Sequence, residues 1–356
     1  MSAREAPTER DVVIRAAVAN LSPYNVDGPR CEIDLSANTN AFGVAAPVAE
    51  LVTRATIDQL VGYPSSYSSE LREAIAGYVG VAPDEVIVGC GSDDVLDCAF
   101  RAFAEPGGCA ATIHPTFVMA PIFARTNALE VTRVPLRDDL DADADALLAT
   151  GASVTYLCSP NNPTGNLLAP PTVERVITAS RGVVLVDEAY AEYAGVNLAA
   201  TAPARDNVLA LRTFSKAFGL AGLRVGYGTG AARLIRELEK VRGPYKVTSL
   251  GERAALAALG PSALDWMRDV VARTVDLRER FIAALRQAGF HPVPSAANFV
   301  LVPVPDAARA AATLRAQGIG VRAFPALTGI GDALRITIGP WPVLQRVVHA
   351  LPAEHA

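Results

Sequence analysis

From about residue 85 to 240, short apolar, β-branched runs alternate with segments whose apolar positions recur at helical spacing. Residues 86–88 (VIV) end in Gly89-Cys90-Gly91, and a helical pattern begins at Ser92. Residues 110–113 (AATI), 153–158 (SVTYLC), 182–186 (GVVLV), 207–212 (NVLALR) and 223–227 (LRVGY) read as further strands. Runs this continuously apolar, spaced by helices, predict a mostly parallel sheet covered on both faces. The last hundred residues differ. A long helical pattern covers about 263–289, and strands are predicted at 298–302 (NFVLV), around Val321 and at 334–338 (LRITI). Helices are predicted at 307–317 and 341–351. That order predicts a smaller α+β domain. The expected organisation is an N-terminal arm at 1–30, a large domain at 31–245, and a small domain at 246–356 joined through the long helix.

Composition narrows the class. The chain has 356 residues, 51% hydrophobic and 19% charged, which suits two domains with substantial cores. The net charge of −5 and the absence of a basic run argue against nucleic acid or an anionic membrane as partner. No apolar run is long enough to cross a bilayer. The first residues, MSAREAPTERD, lack an apolar signal core. Five cysteines, never spaced CxxC, and four scattered histidines fit reduced thiols in the cytoplasm and no metal site.

The lysine count is more informative. Of 32 basic residues only Lys216, Lys240 and Lys246 are lysines. An arginine cannot serve as an amine nucleophile, because its guanidinium stays charged. Lys216 sits among Phe214, Ala217, Phe218 and Leu220, an apolar setting that lowers an amine's pKa. Lys240 lies in a charged helical stretch and Lys246 in a linker. Both read as solvated surface amines.

Ligands of open α/β sheets bind beyond the carboxyl ends of strands, and four such ends carry chemistry. Gly89-Cys90-Gly91-Ser92-Asp93 opens a helix whose free N–H groups can face an anion. In Ser159-Pro160-Asn161-Asn162-Pro163, two prolines hold the Asn162 amide in a rigid turn. Asp187, just past a buried strand, is costly to ionise without a facing cation, and Tyr190 follows three residues on. Thr213, Ser215 and Arg224 flank Lys216 with hydroxyls and a phosphate-binding fork.

SPNNPTG, VDEAY and TFSKAFGLAGLR, in this order and spacing, resemble the fold-type-I pyridoxal-phosphate (PLP) aminotransferases, and in particular their histidinol-phosphate aminotransferase branch. The resemblance extends to Leu21-Ser22-Pro23-Tyr24, Leu35-Ser36-Ala37-Asn38, Tyr63-Pro64, the segment 318–322 (GIGVR) and the segment 334–339 (LRITIG). It implies an α/β PLP-transferase fold with a seven-stranded, mostly parallel sheet. Lys216 would carry the cofactor and shuttle a proton. Asp187 would pair with its ring nitrogen. Asn162 and Tyr190 would bind its phenolic oxygen, and Phe117 would stack on its ring. Ser92, Asp93, Thr213, Ser215 and Arg224 would hold its phosphate. Tyr63 would reach the partner subunit's cofactor in a homodimer. Tyr24, Asn40, Arg322 and Arg335 would surround the substrate. The implied reaction transfers an amino group from L-histidinol phosphate to 2-oxoglutarate. Two departures keep other donors open: Thr39 stands where the family often has Glu, and Phe117 where Tyr is common. An aromatic amino-acid aminotransferase is the alternative, followed by a PLP-dependent decarboxylase such as one acting on threonine phosphate.

Overall fold

The computed structural model describes residues 13–24, 31–57 and 61–351. Seven strands form the main sheet: β2 (Val86–Cys90), β3 (Cys109–His114), β4 (Glu130–Pro135), β5 (Val154–Cys158), β6 (Val183–Asp187), β7 (Val208–Thr213) and β8 (Val225–Gly230). Their spatial order is β2-β8-β7-β6-β5-β3-β4. Strand β8 runs antiparallel to both neighbours, and the strands from β7 to β4 pair in parallel. Every residue of β5, β7 and β8 is buried, as continuous apolar runs require when helices cover both faces. The run at 223–227 becomes a strand only from Val225, because Arg224 takes a left-handed conformation (φ 52°).

Strand β4 was not legible from the pattern. It is the sheet edge, and Glu130, Thr132, Arg133 and Pro135 face outward. Charge and proline on an edge strand discourage pairing with another chain, and they also erase the apolar signature.

The C-terminal part holds a three-stranded antiparallel sheet of β9 (Phe299–Pro303), β11 (Arg322–Leu327) and β12 (Gly331–Thr337), in the order β11-β12-β9. Helices Ala307–Ala316 and Trp341–Ala350 accompany it. A two-residue pair, β1 (Ile33–Asp34) with β10 (Ile319–Gly320), ties an early segment to this part. Leu35 also packs into the C-terminal core with Phe281, Val300 and Leu334. Residues 33–35 thus pack with the C-terminal part, and we propose that they group with it rather than with the large domain expected from 31.

Packing also crosses the expected division at 245/246. Helix Ser249–Ala258 and the first turns of helix Pro261–Gln287 contribute Ala254, Ala258, Ala263 and Met267 to the core under the main sheet. The far end of the long helix contributes Phe281, Ile282 and Leu285 to the other core. We therefore propose that the chain divides within this helix rather than before it. Of the expected arm, residues 13–24 are described; helix Ala16–Ala19 lies beside helix Met119–Thr126, and the rest falls outside the described residues.

Candidate active site

A cavity of about 370 Å³ opens at the carboxyl ends of β5, β6 and β7, where the C-terminal sheet faces the main one. Its lining includes Ser92, Asp93, Phe117, Asn162, Asp187, Tyr190, Thr213, Ser215, Lys216 and Arg224 from the first, and Arg322 and Arg335 from the second, with Tyr24 at its rim. Thirteen of the fifteen predicted site residues therefore converge. Tyr63 and Asn40 do not.

Asp187 ends β6, and strand alternation separates it from its neighbour. Glu188 turns away, accepting from the Leu198 and Ala199 N–H groups and pairing with Arg212 at 3.1 Å. Asp187 faces the cavity. Its Oδ2 accepts the Tyr156 hydroxyl at 2.7 Å and its Oδ1 accepts the Ala189 N–H at 3.0 Å. It makes no ion pair with any described residue. Burial raises its pKa to about 6 against the two donors, which pull it down.

Lys216 follows β7 in the turn that leads to Arg224. Its Nζ donates to the Ala37 carbonyl at 3.1 Å and lies 5.6 Å from the Tyr190 ring centre. Burial, and then the charge of Arg335, lower its pKa to about 7, so the amine is substantially neutral near neutrality. The other two lysines lack this setting. Lys240 pairs with Glu237 on its own helix. Lys246 corrects the surface reading: it pairs with Asp94 at 2.9 Å, and Asp94 in turn accepts the Cys90 N–H, bracing the turn behind Ser92.

That turn is built by close approach. Helix Ser92–Phe103 has no side-chain N-cap among the described residues, so its first N–H groups stay available. Gly91 is left-handed (φ 78°), and a Cβ there would lie 2.6 Å from Arg224 Nη2. Arg224 reaches the Ser215 hydroxyl at 3.4 Å and Asp93 at 3.3 Å. Thr213 Oγ1 donates to Ser215 Oγ at 2.9 Å. Burial raises the Asp93 pKa despite Arg224 beside it.

Asn162 and Tyr190 face the same space. Asn162 Oδ1 accepts Arg335 Nη1 at 2.6 Å, leaving its amide N–H groups for a ligand. Tyr190 Oη accepts Asn38 Nδ2 at 3.1 Å, which leaves its own proton to donate. Arg335 also donates to the Ser36 carbonyl, while its buried Nε has no partner among the described residues.

The two exceptions have clear causes. Asn40 does not line the cavity, because its amide donates to the Ala217 carbonyl and its Oδ1 accepts the Phe42 N–H. It braces the turn that carries Lys216. Tyr63 is 87% exposed, its ring tilted against that of Tyr245 at 5.0 Å, and lies outside this chain's own cavity.

Sequence reasoning missed Asn38, Tyr156 and Phe324. Asn38 is buried with φ 54°, a conformation uncommon for a residue other than glycine, and it bonds to Thr337 and Asn298 besides Tyr190. Tyr156 left no local signal: its link to Asp187 follows from the β5–β6 register, in which Cys158 is level with Asp187. Phe324 lines the cavity 5.8 Å from the Arg322 guanidinium and 5.5 Å from that of Arg335.

Residues 31–351 match the family model for aminotransferase class I and II. A histidinol-phosphate aminotransferase of Roseiflexus castenholzii is 39% identical over 320 residues, covering 86% of this chain and 85% of the relative. One from Stenotrophomonas maltophilia is 38% identical over 338 residues, covering 91% of each. Among solved structures, histidinol-phosphate aminotransferase from Sinorhizobium meliloti in complex with pyridoxal-5′-phosphate superimposes with a TM-score of 0.83 at 28% identity, covering 91% of this chain and 90% of that one.

Proposed function

The chain belongs to the aminotransferase class I and II family, and on that premise we propose that it is a PLP-dependent histidinol-phosphate aminotransferase. It transfers the amino group of L-histidinol phosphate to 2-oxoglutarate, giving imidazole acetol phosphate and L-glutamate. The observation that carries this reading is the facing of two groups across one cavity. Lys216 and Asp187 lie on the main-sheet side, and Arg322 and Arg335 on the C-terminal side.

The residues fit the cofactor. A buried carboxylate with two neutral donors and no ion pair among the described residues suits a protonated ring nitrogen. The close approach at Gly91, with Arg224, Ser215, Thr213 and the first N–H groups of helix Ser92–Phe103, suits a phosphate. The free amide of Asn162 and the free proton of Tyr190 suit its phenolic oxygen, and Phe117 its ring face. Lys216 supplies the amine that holds it. When bound, PLP provides an electron sink that permits loss of the donor's α-proton. The neutral Lys216 Nζ is the group placed to accept and return that proton.

Arg322 and Arg335 bind the anionic ends of donor and acceptor in turn, since a guanidinium fork takes phosphate and carboxylate alike. The small molecules it meets are therefore an amino donor and a 2-oxo acid. We place the enzyme in the cytoplasm, a reading supported by its odd cysteine count with Cys98 and Cys158 as buried thiols. A homodimer belongs to the same reading. Its support is the exposed apolar surface of Ile57, Val61, Tyr63 and Tyr245, from which Tyr63 would reach the partner subunit's cofactor.

A half-reaction tests the substrate. L-histidinol phosphate, added without a 2-oxo acid, should convert the absorbance of the bound cofactor rapidly. The Phe324 ring beside both arginines favours one second reading, an aromatic amino-acid aminotransferase. L-phenylalanine reacting as fast or faster would establish that reading and overturn the first.

A further inference from the structure

Tyr156 lies outside the substrate-facing wall, and no role falls to it from the reaction itself. Its place in the sheet is nonetheless specific. In the parallel pair β5–β6, Tyr156 is level with Leu185 and Cys158 is level with Asp187. Tyr156 is thus diagonal to Asp187, a separation that a short side chain cannot bridge and a phenol can. Its hydroxyl reaches Asp187 Oδ2 at 2.7 Å. Both residues are buried, and the ring is wholly enclosed in the core cluster that also holds Leu185, Leu209 and Leu211.

We propose that Tyr156 is a positioning residue that fixes the orientation and negative charge of Asp187 for pairing with a cationic ring nitrogen of the cofactor. The carboxylate spends one acceptor site on Tyr156 and one on the Ala189 N–H. Those two donors come from different directions and leave a single orientation, with the remaining lone pairs toward the cavity. They also offset burial, which favours the neutral acid, so the charge survives without a resident cation. The other ionisable groups around Asp187 are Cys158 on β5, Asp93 on helix Ser92–Phe103, Tyr190, and Lys216 beyond β7. None of them replaces the Tyr156 hydrogen bond. The phenol itself stays protonated, since burial and the Asp187 charge both raise its pKa well above the usual value.

The inference rests on the PLP reading, and the test separates the two. The full-length protein is prepared without cofactor, and affinities are measured for PLP and for its analogue in which C–H replaces the ring nitrogen. Wild type should prefer PLP strongly. Tyr156→Phe should lower that preference about tenfold to a hundredfold, the size of one lost charge-assisted hydrogen bond. In Asp187→Asn, adding Tyr156→Phe should change the preference no further. The second readout needs no cofactor. The infrared carboxylic-acid band that Asp187→Asn removes should titrate near pH 6 in wild type and at higher pH in Tyr156→Phe. Equal weakening of both ligands with an unmoved band would make Tyr156 a packing residue and overturn the proposal. A wild type with no preference for PLP over the analogue would instead overturn the cofactor reading, while the band still decides whether Tyr156 controls Asp187. If Tyr156→Phe fails to fold, 3-fluorotyrosine placed at 156 keeps the ring and strengthens the donor. The band must then move to lower pH, and an unmoved band overturns the proposal.

Discussion

Arg322 on β11 is directly opposite Arg335 on β12 in an antiparallel pair. Like charges so placed repel. Arg335 is also half-buried, and desolvation holds its guanidinium below the usual pKa range, with Arg322 adding to the effect. The pair is relieved by an anion, so the same arrangement that costs stability selects the ligand. Arg322→Ala should raise KM for L-histidinol phosphate about tenfold to a hundredfold and leave cofactor affinity unchanged. Arg335→Ala should raise KM for both donor and 2-oxo acid, because it also releases Asn162. Steady-state kinetics with each substrate varied in turn checks both. Equal, small effects of the two variants would remove these arginines from the substrate site.

Lys216 should react as a neutral amine near neutrality. In the cofactor-free protein, modification of Lys216 by an amine-directed acylating reagent should follow a midpoint at about pH 7, against 10.5 for an ordinary lysine. Peptide mapping across a pH series measures it. Lys216→Arg should lower turnover by at least about a thousandfold, since the guanidinium neither carries the cofactor nor exchanges protons.

Asp187 should make the cofactor-free protein less stable as pH rises. Its folded pKa of about 6 lies above the unfolded 3.8, so the folded chain binds more protons between those values. Stability contributed by the protonated acid is present below about pH 4 and lost as pH passes 6. Asp187→Asn should abolish that loss and gain on the order of 1–3 kcal/mol at pH 7.5. It should at the same time weaken PLP binding. Denaturant melts at pH 4.5, 6 and 7.5 test the sign, and a stabilising effect confined to low pH would contradict it.

Gly226 should tolerate no side chain. A Cβ there would lie 2.2 Å from the Ser92 backbone nitrogen, so either β8 or the Ser92 turn must move. Gly226→Ala should destabilise the protein by about 2–3 kcal/mol and weaken PLP binding, while Gly222→Ala, with open space at its Cβ, should change neither much. Thermal melts with and without PLP separate the two effects.

The strands buried on both faces were legible because burial writes itself locally as an unbroken apolar run. Strand β4 and the pair β1–β10 were not: one is a polar edge, and the other holds two residues 286 positions from their partners. The core boundary within helix Pro261–Gln287 was equally hidden, since a helix keeps its period whichever core its two ends enter.

By itself the sequence determined the α/β class, the amine Lys216 in an apolar setting among only three lysines, and Asp187 at the end of a buried strand. These depend on neighbours a few positions away. Only the tertiary structure decided which groups share a proton or a charge. Asn38 meets Tyr190 across 152 residues, Arg335 meets Asn162 across 173, and Asn40 turns from the substrate to the Ala217 carbonyl. Hydrogen bonds and pKa values are set by distance in space and by exclusion of water. Apolar periodicity along the chain carries no record of either.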